Sequence, residues 1–264
     1  SMEPDHLNFI KELGYIPVGL GDKNFSRGWL RDNTGDNISN KNRFYSECTF
    51  HYWIWKNYLD KLSDGWIGFC QYRKFWILEN EKNENMNIES VKQKVLKEIP
   101  QEYDKYESIL TDPQFVNQWK PSKFIKKGLK IFFKKPYLIL NKKKRNVSFH
   151  FDLMHGENIL NKAIELLDDK NKNDFKKFVN NEVSFNAHIM VICKSKAKLK
   201  SYYEDLFPWL KKCEKIFGFE NLEGYGKTRI YGFLAERFMS YWFQKNTKFT
   251  TLPILFYDIR KDII

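Results

Sequence analysis

Apolar residues recur along this chain with two periods, and the longest regular stretch comes early. Across residues 43–62, Tyr45, Cys48, Tyr52, Trp55, Leu59 and Leu62 return at steps of three and four, which predicts one long helix with a single apolar stripe. Glu47, His51 and Tyr58 lie off that stripe. Residues 230–244 are apolar on most sides (Phe233, Leu234, Phe238, Met239, Tyr241, Trp242), which predicts a buried helix. Residues 196–209 read as another helix, and 5–13 as a short one ended by Gly14. Residues 80–98 read as a charged loop followed by a surface helix.

Short apolar runs predict strands at 15–20, 66–70, 106–110 and 184–193. The runs 66–70 and 184–193 suit strands buried on both faces of a sheet. Between these elements the chain turns polar. Residues 28–42 form a turn-rich loop, and residues 147–156 lead into a helix reaching about 167. Residues 225–229 read as a glycine-containing basic loop.

Composition narrows the class. With 264 residues the chain is one large domain, or a domain with a small appendage, and 17% aromatic residues argue against disorder. A net charge of +12 points to an anionic partner: nucleic acid, a membrane surface or a phosphorylated small molecule. Cys48, Cys70, Cys193 and Cys213 show no C-x-x-C spacing and read as reduced thiols of a cytosolic protein. The sequence offers no apolar run long enough for a spanning helix and no signal-peptide core.

Residues 119–145 concentrate the charge, with eleven Lys or Arg. Ile125, Leu129 and Phe132 share a helical face there, ringed by Lys123, Lys126, Lys127, Lys130 and Lys134. That pattern suits a helix in a membrane interface, and equally an insertion whose apolar side packs on the domain. A nucleic-acid role is weaker, because no recognised module accompanies the charge.

Candidate chemistry gathers where apolar runs end. The run 66–70 turns abruptly into Gln71, Tyr72, Arg73 and Lys74, and open α/β sheets bind ligands at the carboxyl ends of buried strands. Asn186 and His188 precede the apolar part of 184–193. Glu236 is a carboxylate in an apolar helix and needs a partner, which Arg237 or Arg229 could supply structurally. Glu47 is either a first-turn acid favoured by the helix dipole or a site residue. His150, Asp152 and His155 are close in sequence, but their spacing matches no standard zinc signature.

Several runs resemble a known family. These are Asp32-Asn33-Thr34-Gly35-Asp36-Asn37-Ile38-Ser39, Tyr45-Ser46-Glu47, Tyr52-Trp53-Ile54-Trp55-Lys56-Asn57 and Ile67-Gly68-Phe69-Cys70-Gln71-Tyr72-Arg73. Together with Phe185-Asn186 and Gly232-Phe233-Leu234-Ala235-Glu236-Arg237, they resemble the bacterial capsular polysaccharide and lipopolysaccharide glycosyltransferase domain family (domain of unknown function 4422). The resemblance implies an α/β, GT-A-like (Rossmann-like) fold: a mixed, mostly parallel sheet flanked by helices. The whole of residues 1–264 would be one glycosyltransferase-like domain, with 119–145 a basic amphipathic helical insertion within it. Two features depart from the pattern: no strand is evident before Asp5, and the lysine-rich segment is an elaboration.

The resemblance further implies a nucleotide-sugar donor, UDP-linked, and a growing capsular or lipopolysaccharide glycan as acceptor, lipid-linked and met at the inner face of the cytoplasmic membrane. Arg73 is the first choice for the donor diphosphate, because a guanidinium grips phosphate bidentately. If extension persists past residue 70, Gln71 and Arg73 face one side and Tyr72 and Lys74 the other. Asp36, Asn37 and Lys41 are candidates for the nucleoside or sugar. Glu47, Gln71, Tyr72, Asn186, Arg229 and Arg237 complete the donor set. Glu236 and Asp152 compete as general base, with His155 beside the latter. Lys126, Lys127, Lys130 and Lys134 would meet the anionic membrane and the acceptor.

No Asp-x-Asp motif ends a strand, so no cofactor is expected. If a metal is used, manganese or magnesium would be held by Asp112, Asp152 or His150. Nucleic acid is not an expected partner. The rival class is a non-catalytic membrane- or polyanion-binding module, which needs the same charge and lysines but no nucleotide affinity.

Overall fold

The helix Ile230–Asn246 is buried on nearly every side, and the fold is assembled around it. Its aromatic residues meet those of a second long helix, Lys196–Phe217, through Tyr202, Trp209, Phe238, Trp242 and Phe243. Each fully buried ring of this kind removes enough apolar surface from water to contribute about 1.5–3 kcal/mol. Both indole N–H groups are satisfied: Trp209 Nε1 donates to Ala163 O at 2.7 Å, and Trp242 Nε1 to Asp205 at 2.8 Å.

The computed structural model describes residues 4–80, 86–118, 141–220 and 222–258. The chain runs α1 (Pro4–Glu12), β1 (Val18–Gly19), β2 (Leu30–Arg31), α2 (Asn42–Tyr45), α3 (Cys48–Trp53), β3 (Ile67–Gly68), β4 (Lys74–Trp76) and α4 (Ile88–Lys94). It continues with β5 (Ser108–Thr111), β6 (Pro113–Phe115), α5 (Val147–His155), α6 (Ile159–Ile164), α7 (Asp169–Asn181), β7 (Ser184–Asn186) and β8 (Val191–Cys193). Last come α8 (Lys196–Phe217), α9 (Tyr225–Thr228), α10 (Ile230–Asn246), β9 (Phe249–Leu252) and β10 (Ile254–Phe256).

The central sheet has the order β3-β8-β5-β9. β8 is antiparallel to both β3 and β5, and β5 is parallel to β9. Side chains alternate across it: Val191 and Cys193 face the large core under α8 and α10, while Ile192 faces a smaller layer with Trp76, Leu96, Ile109 and Leu252. A third cluster joins α1, α4 and the β4–β10 pair through Phe9, Leu13, Phe75, Val91 and Leu255.

The α/β class holds, but the sheet is not mostly parallel. Among the described residues β1–β2 and β5–β9 are parallel, and the remaining pairs are antiparallel. None of the antiparallel pairs is a hairpin: each joins strands far apart in the chain, so long connections set the order of the sheets.

Several elements differ from the sequence expectation for identifiable reasons. The single helix over 43–62 is broken: Ser46 takes φ 54°, α3 follows, and residues 54–58 widen into a π-helix. α10 passes close to the break: a Cβ on Gly232 would lie 3.0 Å from Ser46 Oγ. The run 66–70 is an edge strand, with Gly68 and Cys70 exposed, rather than one buried on both faces. Residues 184–193 form two strands, because His188 and Ile189 both take positive φ (83° and 47°). Residues 147–155 are themselves helical, with Asn146 Oδ1 accepting from Phe149 N at the N-terminus. α8 runs on through Pro208 to Phe217. Residues 225–228 are a short helix rather than a loop.

Candidate functional site

The sheet topology brings four segments to one edge. β5 and β9 are parallel, and β3 runs the same way because both it and β5 oppose β8. Their carboxyl ends therefore meet the amino end of β8. Asp112 follows β5, Pro253 follows β9, Gln71 lies three residues past β3, and His188 lies three residues before β8. This is the edge at which α/β sheets bind ligands.

His188 is the hub. Its positive φ is held from both sides: its N–H donates to Glu236 Oε1 at 2.6 Å, and its carbonyl accepts from Gln71 Nε2 at 2.8 Å. Strained backbone of this kind persists only where its surroundings over-determine it, and it clusters at functional sites. The ring Nδ1 lies 3.1 Å from Lys74 Nζ, which also donates to Gln71 Oε1 at 2.6 Å. Burial, with Lys74 beside it, pushes the imidazole pKa down to about 4, so the ring is neutral at pH 7 and Nδ1 accepts.

Lys74 reaches this hub because residues 71–74 form a tight turn. Lys74 N donates to Gln71 O at 3.0 Å, and the two residues bridge. The expected alternation fails for that reason: Gln71 and Lys74 share a side, and Arg73 points elsewhere. Arg73 pairs with Asp258 at 3.1 Å and its guanidinium lies 4.6 Å from the Tyr72 ring centroid. Burial lowers the Lys74 pKa, opposed by Glu47 and Glu236 and assisted by Arg73 and Arg229, so all four charges act on the ammonium.

Glu236 sits one residue before Arg237 on α10, with a side chain 13% exposed. Its Oε2 accepts from Arg237 Nη1. Arg237 is fully buried, its guanidinium 4.1 Å from the Phe185 centroid, with Nη2 3.4 Å from His150 Nδ1 and 3.5 Å from His155 Nε2. Arg237 thus anchors Glu236 from beneath, and burial lowers its pKa while Glu236 opposes that. Each Glu236 oxygen keeps a further lone pair for another donor. Glu47 is half-buried and faces Arg229 Nη2 at 3.9 Å. Arg229 also donates to Ser46 Oγ at 2.5 Å and to the Tyr225 hydroxyl at 2.9 Å.

Other residues of the expected set lie apart from this hub. Asn186 is buried and fully used: it donates to Thr111 O at 2.5 Å and accepts from Ser240 and Gln244. Asp36 and Asn37 hold their own loop, through Tyr52, Asn57 and Ser39. Lys41 is paired with Glu214 at 2.7 Å. Asp152 accepts from Asn158 N at 3.0 Å, closing the α5–α6 connection. His155 is 4% exposed, stacked on Phe233 at 3.9 Å, and so is not placed to meet a substrate hydroxyl. Lys126, Lys127, Lys130 and Lys134 lie outside the described residues.

The sequence marked His188 only as a polar residue ahead of an apolar run. Its backbone break was the missed signal, and nothing in residue type announces positive φ at a histidine. Among the described residues no group of three or more His, Cys, Asp or Glu could hold a metal ion, so Asp112, Asp152 and His150 do not converge as ligands. No helix among the described residues is long and apolar enough to cross a membrane.

A family model, Domain of unknown function (DUF4422), matches residues 5–247. No curated protein matches the chain. A solved structure, that of the WbbM bifunctional glycosyltransferase in its apo form, is similar over 87% of this chain, with a TM-score of 0.60 and 22% sequence identity. The chain covers 39% of that structure's length, and at this identity the likeness is one of fold.

Proposed function

The chain belongs to the family Domain of unknown function (DUF4422), and from that premise we propose that it is a glycosyltransferase using a nucleotide-sugar donor. The observation that carries the reading is the meeting of Lys74 and Glu236 at the strained His188 on the sheet's carboxyl edge, with the charges of Glu47 and Arg229 acting on Lys74. The fold shared with a glycosyltransferase supports it.

In this reading Lys74 and Arg229 meet the donor diphosphate, with Arg73 close enough to add to the field. Two negative charges entering a partly desolvated cleft need such compensation. An acceptor hydroxyl attacks the anomeric carbon, the bond from that carbon to the phosphate oxygen breaks, and the proton passes to Glu236. The nucleoside diphosphate leaves against Lys74 and Arg229. Neutral His188 fixes Lys74 through Nδ1 without adding charge. Donor binding in this reading uses cationic side chains and routes no step through a metal. The acceptor is a capsular or lipopolysaccharide glycan on a lipid carrier, and Lys126, Lys127, Lys130 and Lys134 hold the chain to the anionic membrane. Each such lysine contributes about 1 kcal/mol near the surface, so vesicle binding should fade with salt and with their replacement by Glu.

A calorimetric screen of nucleoside diphosphates tests the reading. At least one should bind, with affinity falling about tenfold or more in Lys74→Ala and surviving a chelator. Absence of any nucleoside diphosphate binding overturns the proposal and leaves the polyanion-binding module. Binding lost in the chelator and restored by manganese or magnesium overturns the metal-free part.

A further inference from the structure

Beside His188 lies a cleft of about 370 Å³ that Lys74 does not line. We propose that it is a subsite for a neutral monosaccharide ring. The inference rests on the glycosyltransferase reading and adds where a sugar sits.

The cleft opens between the ends of β5 and β9. Its floor is fixed by backbone and side-chain bonds: Asp112 N donates to Leu252 O at 3.1 Å, and Thr111 Oγ1 to Ala187 O at 2.9 Å. Its volume falls within the range of about 300–1,000 Å³ usual for small-molecule sites. Asn80, Asp112, Gln114 and His188 give it polar edges, and Pro113 and Pro253 give it apolar walls. Among the described residues no lysine or arginine lines it.

That lining sorts ligands by charge. A phosphate would meet the Asp112 carboxylate with no cation among the described lining residues to offset the repulsion. A sugar ring fits both halves: its hydroxyls can donate to the carboxylate and exchange bonds with the two amides, while its C–H face covers the prolines. Lys74 Nζ meets Nδ1 of the same histidine at 3.1 Å, and Lys74 is not among the residues that line the cleft. In this proposal His188 is shared between the lysine that meets the phosphates and the cleft that takes the sugar. Glu236 is bonded to the His188 N–H.

The neutral ring could be the donor's sugar or the acceptor's terminal sugar. Saturation-transfer NMR with free glucose, galactose and N-acetylglucosamine, on the full chain, tests the site directly. At least one of these should saturate on the wild type and on Lys74→Ala. Gln114→Trp, at an exposed position, should abolish that signal by filling the cleft. Asp112→Asn, which keeps the shape, should weaken it about tenfold. Binding of UDP by calorimetry should change less than about twofold in both variants. Displacement of the monosaccharide by its own UDP derivative, but not by UDP, assigns the donor's sugar. Persistence beside the bound UDP derivative assigns the acceptor's.

No saturation by any of the three sugars on the wild type overturns the inference, as does a signal that survives both cleft variants. Loss of UDP binding in Gln114→Trp overturns it too, because the cleft would then take the phosphates. Sugar binding without any nucleoside diphosphate binding would sink the glycosyltransferase reading and leave the cleft a sugar site.

Discussion

Two regions of this chain carry dense polar sequence, and they meet opposite ends. Within residues 32–57, the 34–37 loop and residues 52–57 close on each other, while Lys41, Tyr45 and Glu47 reach other segments. Asn57 accepts from Asp36 N at 3.0 Å and donates to Asp36 O and Trp53 O. Trp53 Nε1 donates to Thr34 O at 2.9 Å, and the Tyr52 hydroxyl to Asp36 Oδ1 at 3.1 Å. At His188, in contrast, Lys74 and Glu236 meet from distant segments, residues 47 and 229 act on the charge of Lys74, and Glu47 meets Arg229 only at 3.9 Å. A polar run satisfied locally is a scaffold, because its hydrogen bonds are spent. Charges gathered from distant segments, around backbone that costs energy to hold, leave capacity for a ligand.

The sharpest way to break that contrast is at Glu236. Glu236→Gln keeps an oxygen to accept from His188 N, so folding should hold. Transfer should fall by about 10²–10⁴ if this carboxylate takes the acceptor proton. Asp36→Asn, in the scaffold, should leave transfer within about twofold wherever the protein is folded. Full turnover in Glu236→Gln would remove Glu236 from the chemistry.

Each region also holds a histidine kept neutral. Burial lowers the pKa of His51 to about 4, and burial together with Lys74 does the same for His188. Unfolded, both titrate near 6.5, so below that value the unfolded chain binds more protons than the fold does. Their contribution should thus be constant above pH 6.5 and fall as pH drops toward 4. His51, packed against Phe69 and Tyr203, should account for roughly 3 kcal/mol of that loss. Lys74→Met should shrink only the His188 part, by letting that pKa rise. Unfolding free energy measured by denaturant across this range would show it. An unchanged acid limb in Lys74→Met would mean that the lysine does not act on the ring.

How far the sequence reaches follows the same division. The apolar stripes located α8 and α10, because a buried helix needs its periodic residues whatever its neighbours do. The edge after residues 66–70 was legible too, since a strand that ends in Gln71-Tyr72-Arg73-Lys74 must leave the apolar interior. What stayed hidden was backbone. Ser46, His188 and Ile189 take positive φ without a glycine, and residues 71–74 turn back on themselves. Tertiary contacts impose those conformations: Glu236 and Gln71 on His188, and the close pass of α10 on Ser46. Arg73 was the preferred phosphate ligand only as long as the strand ran straight.

Within the scaffold, Asn57→Ala should cost stability rather than ligand affinity. It removes two hydrogen bonds that hold Asp36 and a third to Trp53 O within the helix, so about 1–3 kcal/mol should be lost. Gly35, at φ 59° with Asn57 Oδ1 2.1 Å from where a Cβ would stand, gives the neighbouring test. Gly35→Ala should destabilise through both strain and contact. In both variants the folded fraction should bind nucleoside diphosphate as the wild type does. A tenfold loss of affinity at unchanged stability would make this loop part of the site.

The smallest effect should come from Lys41. It pairs with Glu214 at 2.7 Å, and the Tyr45 hydroxyl donates to the same carboxylate at 2.8 Å. Both charged side chains keep partial exposure, 29% and 21%, so water screens the pair. Lys41→Met leaves Glu214 with the tyrosine and solvent, and should cost only about 0.2–1 kcal/mol, less at high salt. Nucleotide affinity should not move, because the ammonium is already matched to a carboxylate on α8. A donor phosphate would have to displace Glu214 to recruit it. If Lys41→Met weakens nucleoside diphosphate binding tenfold while Glu214→Gln strengthens it, the lysine is a ligand held in reserve. The division between a closed scaffold and an open charged edge would then fail at its margin.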